Sequence, residues 1–335
     1  ETWGVLARTA QSQGLWSEAE QACVEKADRE SDPAKADSLI SAAMAANVLD
    51  EAGESYRRRI QQARDIDPEH PRLAIDAVDF EAPPAEQVAA LSAIESDDPE
   101  VRLLLAGRLA LASLLLPDVE KAKGYLAEAS NHGAATTVVQ AVSVNVVVQD
   151  GRLRRLAGEP LDSQALMQAH ADALDLRRRL LDERRFSESA RLLMLAADVL
   201  ALLDDREGAA RLLRAATDDE RASPDGPVVL GDCAASRALD FHLALRFLEG
   251  APDSPGVQRI RAECLEEVGT PEQRAAALET LEALIRADGP ESSEAAFIIL
   301  AASLGSRGVP WNEPAAEYLR SHGHERAAVS GEAFY

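Results

Sequence analysis

The residues of this chain that could do chemistry are few and widely spaced. His322-Gly323-His324 is its one close histidine pair, and two imidazoles one residue apart are half of a metal site at most, since a bound ion needs further ligands at fixed geometry. The pair reads more simply as a polar terminus, with Gly323 bending or stopping a helix. His170 and Asp172 lie two positions apart and so on different helix faces. His242, beside Phe241 in an apolar helical stretch, reads as a satisfied core histidine rather than a base. Cys233 has no sequence neighbour that would activate its thiol. No stretch matches a phosphate-binding loop, a dinucleotide glycine pattern, a nucleophile elbow or a helical zinc-protease motif. The expectation is a chain with no catalytic residue, no cofactor and no metal.

Charge points the same way. Lys and Arg number 35 against 58 Asp and Glu, a formal net charge of −23. Such a field repels nucleic acid and anionic lipid and favours basic partners or plain solubility. The triplets Arg57 to Arg59 and Arg177 to Arg179 spread guanidinium groups around a helix. Salt bridging to nearby carboxylates accounts for them, an acidic-peptide or nucleic-acid patch being the alternative. Cys23, Cys233 and Cys264 are odd in number and sit among apolar positions. They read as small buried hydrophobes in a reducing compartment, which suggests the cytoplasm. The chain opens at Glu1 without a methionine, so a signal upstream could be missing. The apolar runs Leu103 to Leu116 and Leu192 to Leu203 are short and interrupted by Arg108 and Asp198, so no membrane span is expected.

The elements that would position any site are helices. Aromatic residues make up 4% of a chain that is 46% hydrophobic and 28% charged, and the abundance of Ala, Leu, Arg and Glu favours close-packed helices. Trp3, Leu6, Ala7 and Ala10 fall on one helical face, and Gly14 supplies the left-handed residue that ends it. Ser17 and Glu20 then have the spacing of a capping box, Ala19, Cys23 and Ala27 give the second helix its inner stripe, and Asp32-Pro33 opens the next unit. Moving 33 residues along gives Ala36, Leu39, Ile40 and Ala43, then Ala52 and Tyr56, with Asp67-Pro68 closing the copy.

Trp-x2-Leu-Ala, then Ala-x3-Cys, then Pro, recurring at this period over residues 1 to 68, resembles the tetratricopeptide repeat. It departs from that pattern at Ile40, at Ala10 and Ala43, and in a repeat one residue short. The resemblance implies an all-α, right-handed α-solenoid of antiparallel helix pairs, a superhelix whose concave wall binds extended or helical peptides. It would be lined by Arg8, Gln11, Asp37, Ser41 and Met44. The family's carboxylate clamp uses Lys and Asn where this chain has Gly4 and Arg8, so chaperone-tail specificity is not implied.

Beyond Pro68 the register loosens. Repeats are expected over 1–217, degenerate at 69–98, where Ala82-Pro83-Pro84 interrupts the helical pattern, and at 131–162. Asp98-Pro99 and Pro117-Asp118 start two further helices. Thr136 to Val148 carries both an alternating valine pattern and a helical stripe. Helix is favoured because a lone strand would leave its backbone unpaired, and Gln149-Asp150-Gly151 is expected to end it before a basic connection. Asp204 and Glu207 suggest a second capping box, and Thr270-Pro271-Glu272-Gln273 is a complete helix start. The 218–233 segment, with Ser223-Pro224-Asp225-Gly226-Pro227, reads as a linker or hinge. Residues 234–335 read as further helical repeats, with Glu313 to Val329 as a polar capping helix.

The functional expectation is a non-enzymatic scaffold that holds a protein or peptide segment in a concave groove. The alternative is a sensor or regulatory module of a larger signalling or transcription protein, and an all-helical enzyme without a short motif comes last.

Overall fold

The computed structural model describes residues 2–49, 53–78, 83–114, 116, 118–132, 137–287 and 295. Among them every regular element is a helix, and helices adjacent in sequence pack as neighbours. Two compact units divide the chain: Glu1–Asp150 with Asp172–Ser189, and Gly151–Ala171 with Ala190–Tyr335.

In the first unit α1 (Thr2–Ser12) packs on α2 (Trp16–Ala27), which packs on α3 (Asp32–Leu49), which packs on α4 (Glu54–Ile66). The short α5 (Pro71–Asp76) and α6 (Pro84–Ser92) rest on α7 (Pro99–Leu114), which pairs with α8 (Val119–His132). The stretch expected to be degenerate thus shares a core with α7, with Ile75 and Leu91 in one cluster with Val101, Leu109 and Ala112. Pro83 and Pro84 do not merely interrupt a helix. They open α6, because a proline ring is tolerated in the first helical turn.

Alanine-sized residues let the first helices approach closely. Ala7 meets Ala22, Cys23 and Ala42, while Ala10 meets Trp16, Ala19 and Ala45. Leu6, expected on this inner stripe, is 47% exposed. It lies about 100° around the helix from Ala7, outside a contact narrow enough for alanines alone. Its counterpart Leu39 is buried, because α3 is covered by α4 as well as α2. Ala36, Ile40 and Ala43 are buried as the echo of the first copy requires, whereas Ala52 lies outside the described residues.

α9 (Thr137–Leu156) is a helix throughout. Its alternating valines, Val142, Val144, Val146 and Val148, are all buried, so the strand-like pattern reflects a helix covered on more than one side. Gly151 does not end it. A Cβ there would lie 3.1 Å from Leu166 Cδ2 and 3.2 Å from Leu202 Cδ1, so this glycine serves close packing inside the helix.

The helices that follow are α10 (Ser163–Asp182), α11 (Phe186–Leu202), α12 (Arg206–Arg214), α13 (Asp218–Ala222), α14 (Gly226–Ser236), α15 (Phe241–Phe247), α16 (Pro255–Val268) and α17 (Pro271–Ala287). In the second unit, Leu193, Leu213, Leu230, Leu243, Phe247 and Ile260 build the core with Cys233 and Cys264. Residues 218–233, expected as a linker, hold α13 and much of α14, with Glu220, Ser223 and Leu230 buried. A capping box unread in the sequence starts α13: Thr217 Oγ1 accepts from the Glu220 amide, and the Glu220 carboxylate accepts from the Thr217 amide. His242, expected in the core, is exposed, because α15 turns Leu243, Ala244 and Phe247 inward.

One turn recurs. Gly14, Arg184, Asp204 and Leu239 have φ of 66°, 57°, 62° and 52°. The residue after each immediately precedes the next helix, and the amides of Leu15, Arg185 and Asp205 bond five residues back, to Ala10 (2.9 Å), Leu180 (2.8 Å) and Leu200 (2.8 Å). The fifth residue after each left-handed one is Ala19, Ser189, Ala209 or Ala244, every one at 0% exposure. A small side chain there lets the second helix cross close to its neighbours.

This turn also moves two expected caps. It delivers the chain into α2 at Trp16, so Leu15 is the cap residue, no side chain caps, and Ser17 lies inside the first turn. Glu20 instead accepts from Ser55 Oγ at 2.6 Å and Arg59 Nε at 3.1 Å on α4. Asp204 likewise takes the left-handed position, and Asp205 caps α12 through the Gly208 amide at 2.7 Å. The Thr270–Gln273 box forms as read, its two bonds at 2.9 and 3.3 Å.

Candidate binding face and ionic centre

The five residues read as a groove lining occupy α1 and α3. Arg8 is exposed and Gln11 partly so. The Ser41 hydroxyl donates to the Asp37 carbonyl one turn back, at 2.9 Å, so it is partly engaged by its own helix. Met44 packs beside Leu39, Ile40 and Ala43, and contributes core contact as well as surface.

Asp37 is the best defined of the five. Its carboxylate is half exposed and lies 3.3 Å from His70 Nε2 and 3.9 Å from Arg72 Nη1. His70, buried, caps α5: its Nδ1 accepts the Arg72 amide at 3.3 Å, which leaves the ring hydrogen on Nε2 to donate to Asp37. His70 and Arg72 thus join the face although sequence reasoning missed them. The signal was His70-Pro71-Arg72, a cap followed by a first-position proline.

The second unit carries a buried ionic centre. Asp198 on α11 is 2% exposed and accepts from Arg152 Nη2 of α9 at 2.7 Å and from Arg237 Nε, just past α14, at 2.6 Å. Nearby, Arg259 of α16 bonds Asp232 at 2.8 Å and Glu263 at 3.3 Å. The acids and guanidinium groups alternate, so the centre ties helices together without a surplus charge.

The other chemistry candidates resolve into structure. Burial pushes the Cys233 thiol well above its usual range and the Cys264 thiol up to about 12. Both stay protonated at neutral pH, and neither is an activated nucleophile. All three cysteines are free and buried. His170 Nδ1 lies 3.0 Å from the Ala196 carbonyl and not on Asp172. Arg59 pairs with Glu20 and Arg178 with Asp175 at 3.0 Å, the salt bridges expected of the triplets, whereas Arg58 bonds Ser55 Oγ at 3.3 Å and Arg179 the neutral Gln140 side chain at 2.6 Å. His322 and His324 lie outside the described residues, as do Ser292 to Leu304 save Ala295, and Glu313 to Val329. Among the described residues no three His, Cys, Asp or Glu side chains converge as a metal ion would require, and no helix is long and apolar enough to cross a membrane.

The fold and this face define an all-α protein of sequentially paired helices, an architecture compatible with a helical repeat. No family model matches the chain, and no curated protein matches it.

Proposed function

We propose that this chain is a non-enzymatic interaction scaffold, a tetratricopeptide-like right-handed solenoid, that holds a protein or peptide segment against α1 and α3. The observation that carries the reading is the recurring turn with a fully buried small residue five positions on. A small buried residue there lets one helix cross close to the next, and in repeat proteins stacked pairs present extended faces suited to a peptide. The net charge of −23 favours a basic segment. Asp37, half exposed and 3.3 Å from His70 Nε2, supports the reading as the acceptor for a cationic side chain.

The test is affinity capture from the native host with the wild-type chain, Asp37→Arg and Arg8→Glu. A stoichiometric protein partner is expected with the wild type and its loss with Asp37→Arg, both chains keeping the same helical circular dichroism and melting temperature. Undiminished capture by a folded Asp37→Arg/Arg8→Glu double variant would overturn the proposal.

A further inference from the structure

Within the first unit, two turns of the same kind seat on one another across a long stretch of sequence. The Trp16 indole Nε1 donates to the Glu183 carbonyl at 2.7 Å, a contact between residues 167 positions apart. Beside it, Gly14 is buried in the left-handed region, and a Cβ there would lie 2.7 Å from Arg184 Cγ and 2.9 Å from the Glu183 carbonyl oxygen. Gly14 is therefore required twice, once by its φ and once by the turn that rests on it.

α2 is well held on its far side, by Ala27 in the core of Leu39, Ile40 and Ala43 and by Glu20, which accepts from Ser55 and Arg59 of α4. α1 is held less: it meets its neighbours through Ala7, clustered with Ala22, Cys23 and Ala42, through Ala10, clustered with Trp16, Ala19 and Ala45, and through Trp3 beneath the Arg29 guanidinium. Alanine side chains remove little apolar area from water, so each contributes little beyond close approach. The Trp16 ring, 9% exposed, packs into the second of these clusters while its N–H reaches the distant turn.

We infer that residues 13–16 and 183–184 form a clasp that keeps α1 ordered against α2, and with it Arg8 and Gln11. Release of the clasp lets α1 open locally while α2, anchored on α3 and α4, stays, and α3 holds Asp37 and Ser41 in place. The clasp thus controls the α1 half of the face proposed above. It rests on that reading only for its consequence to a partner, and its test needs none.

Hydrogen–deuterium exchange of the full chain, read by mass spectrometry, tests the clasp with two variants. Trp16→Phe keeps an aromatic ring but removes the donor. Amides of both 3–12 and 183–188 should then exchange about fivefold faster, the scale of one lost hydrogen bond, with 256–286 unchanged. Arg184→Gly suits the left-handed turn but strips Cγ and Cδ from above Gly14. It should speed exchange at 3–16 without speeding 183–188, and it carries the test alone if Trp16→Phe does not fold. Faster exchange confined to 13–20 in Trp16→Phe, or unchanged exchange at 3–12 in either folded variant, would overturn the inference, whatever the outcome of partner capture.

Discussion

Arg237 donates its Nε hydrogen to a carboxylate that water scarcely reaches: Asp198 is 2% exposed and the bond is 2.6 Å long. Arg152 holds the other carboxylate oxygen at 2.7 Å, so one buried charge is shared by two partly exposed guanidinium groups. The arrangement is asymmetric in its consequences. Asp198→Ala removes the buried anion that both partly buried guanidinium groups share, and should lower unfolding free energy by about 3 kcal/mol in urea titration. Arg152→Ala should cost less, since Arg237 still neutralises Asp198. Its effect should not add to that of Asp198→Ala, because both act on one interaction.

Leu239 is a leucine in a conformation that suits glycine, with φ of 52° and a side chain 45% exposed. The left-handed region costs a residue with a Cβ about 1–2 kcal/mol, and glycine returns part of that gain as unfolded-state entropy. Leu239→Gly should therefore raise stability by about 0.5 kcal/mol and shift the thermal midpoint upward.

The Cys264 thiol should make stability fall at alkaline pH. Burial holds its folded value at about 12 against an ordinary 9.0, so above pH 9 the unfolded chain releases a proton that the folded chain keeps. The stabilisation is complete below pH 9 and is lost progressively as pH rises to about 12. Comparing unfolding free energies of the wild type and Cys264→Ala between pH 8 and pH 11 should show a shallower decline in the variant. Equal slopes would contradict this origin.

Ser113 is fully buried on α7, and among the described residues its hydroxyl has no hydrogen-bond partner. A buried polar atom left unmatched loses its hydration without return, so Ser113→Ala should stabilise by about 1 kcal/mol. Chemical denaturation checks this, and a loss of similar size would show that the hydroxyl is satisfied in solution.

How much of this was legible in the chain depends on the range of the interaction. The helix starts at Pro99, Thr270 and Asp118 are local, each set by side chains within three or four residues, and they stand where the sequence places them. The same holds for the stop at Gly14 and for the burial of Ile40 and Ala43. Of the candidate face, Arg8, Gln11, Asp37, Ser41 and Met44 could be placed on α1 and α3 by helical period alone. His70 and Arg72 could not be joined to Asp37, because the contact runs between helices.

The sequence by itself determined that the chain is helical, where several helices begin, and which small residues face inward in the first two pairs, since all three follow from backbone bonding and side-chain period over single turns. Only the tertiary structure decided which way Leu6 and His242 face, that Gly151 lies inside a helix, and that Arg184, Asp204 and Leu239 take the left-handed conformation that Gly14 takes. For Gly151 the deciding neighbours, Leu166 and Leu202, lie distant in sequence. Packing against them is worth more than the roughly 1 kcal/mol of local preference it overrides.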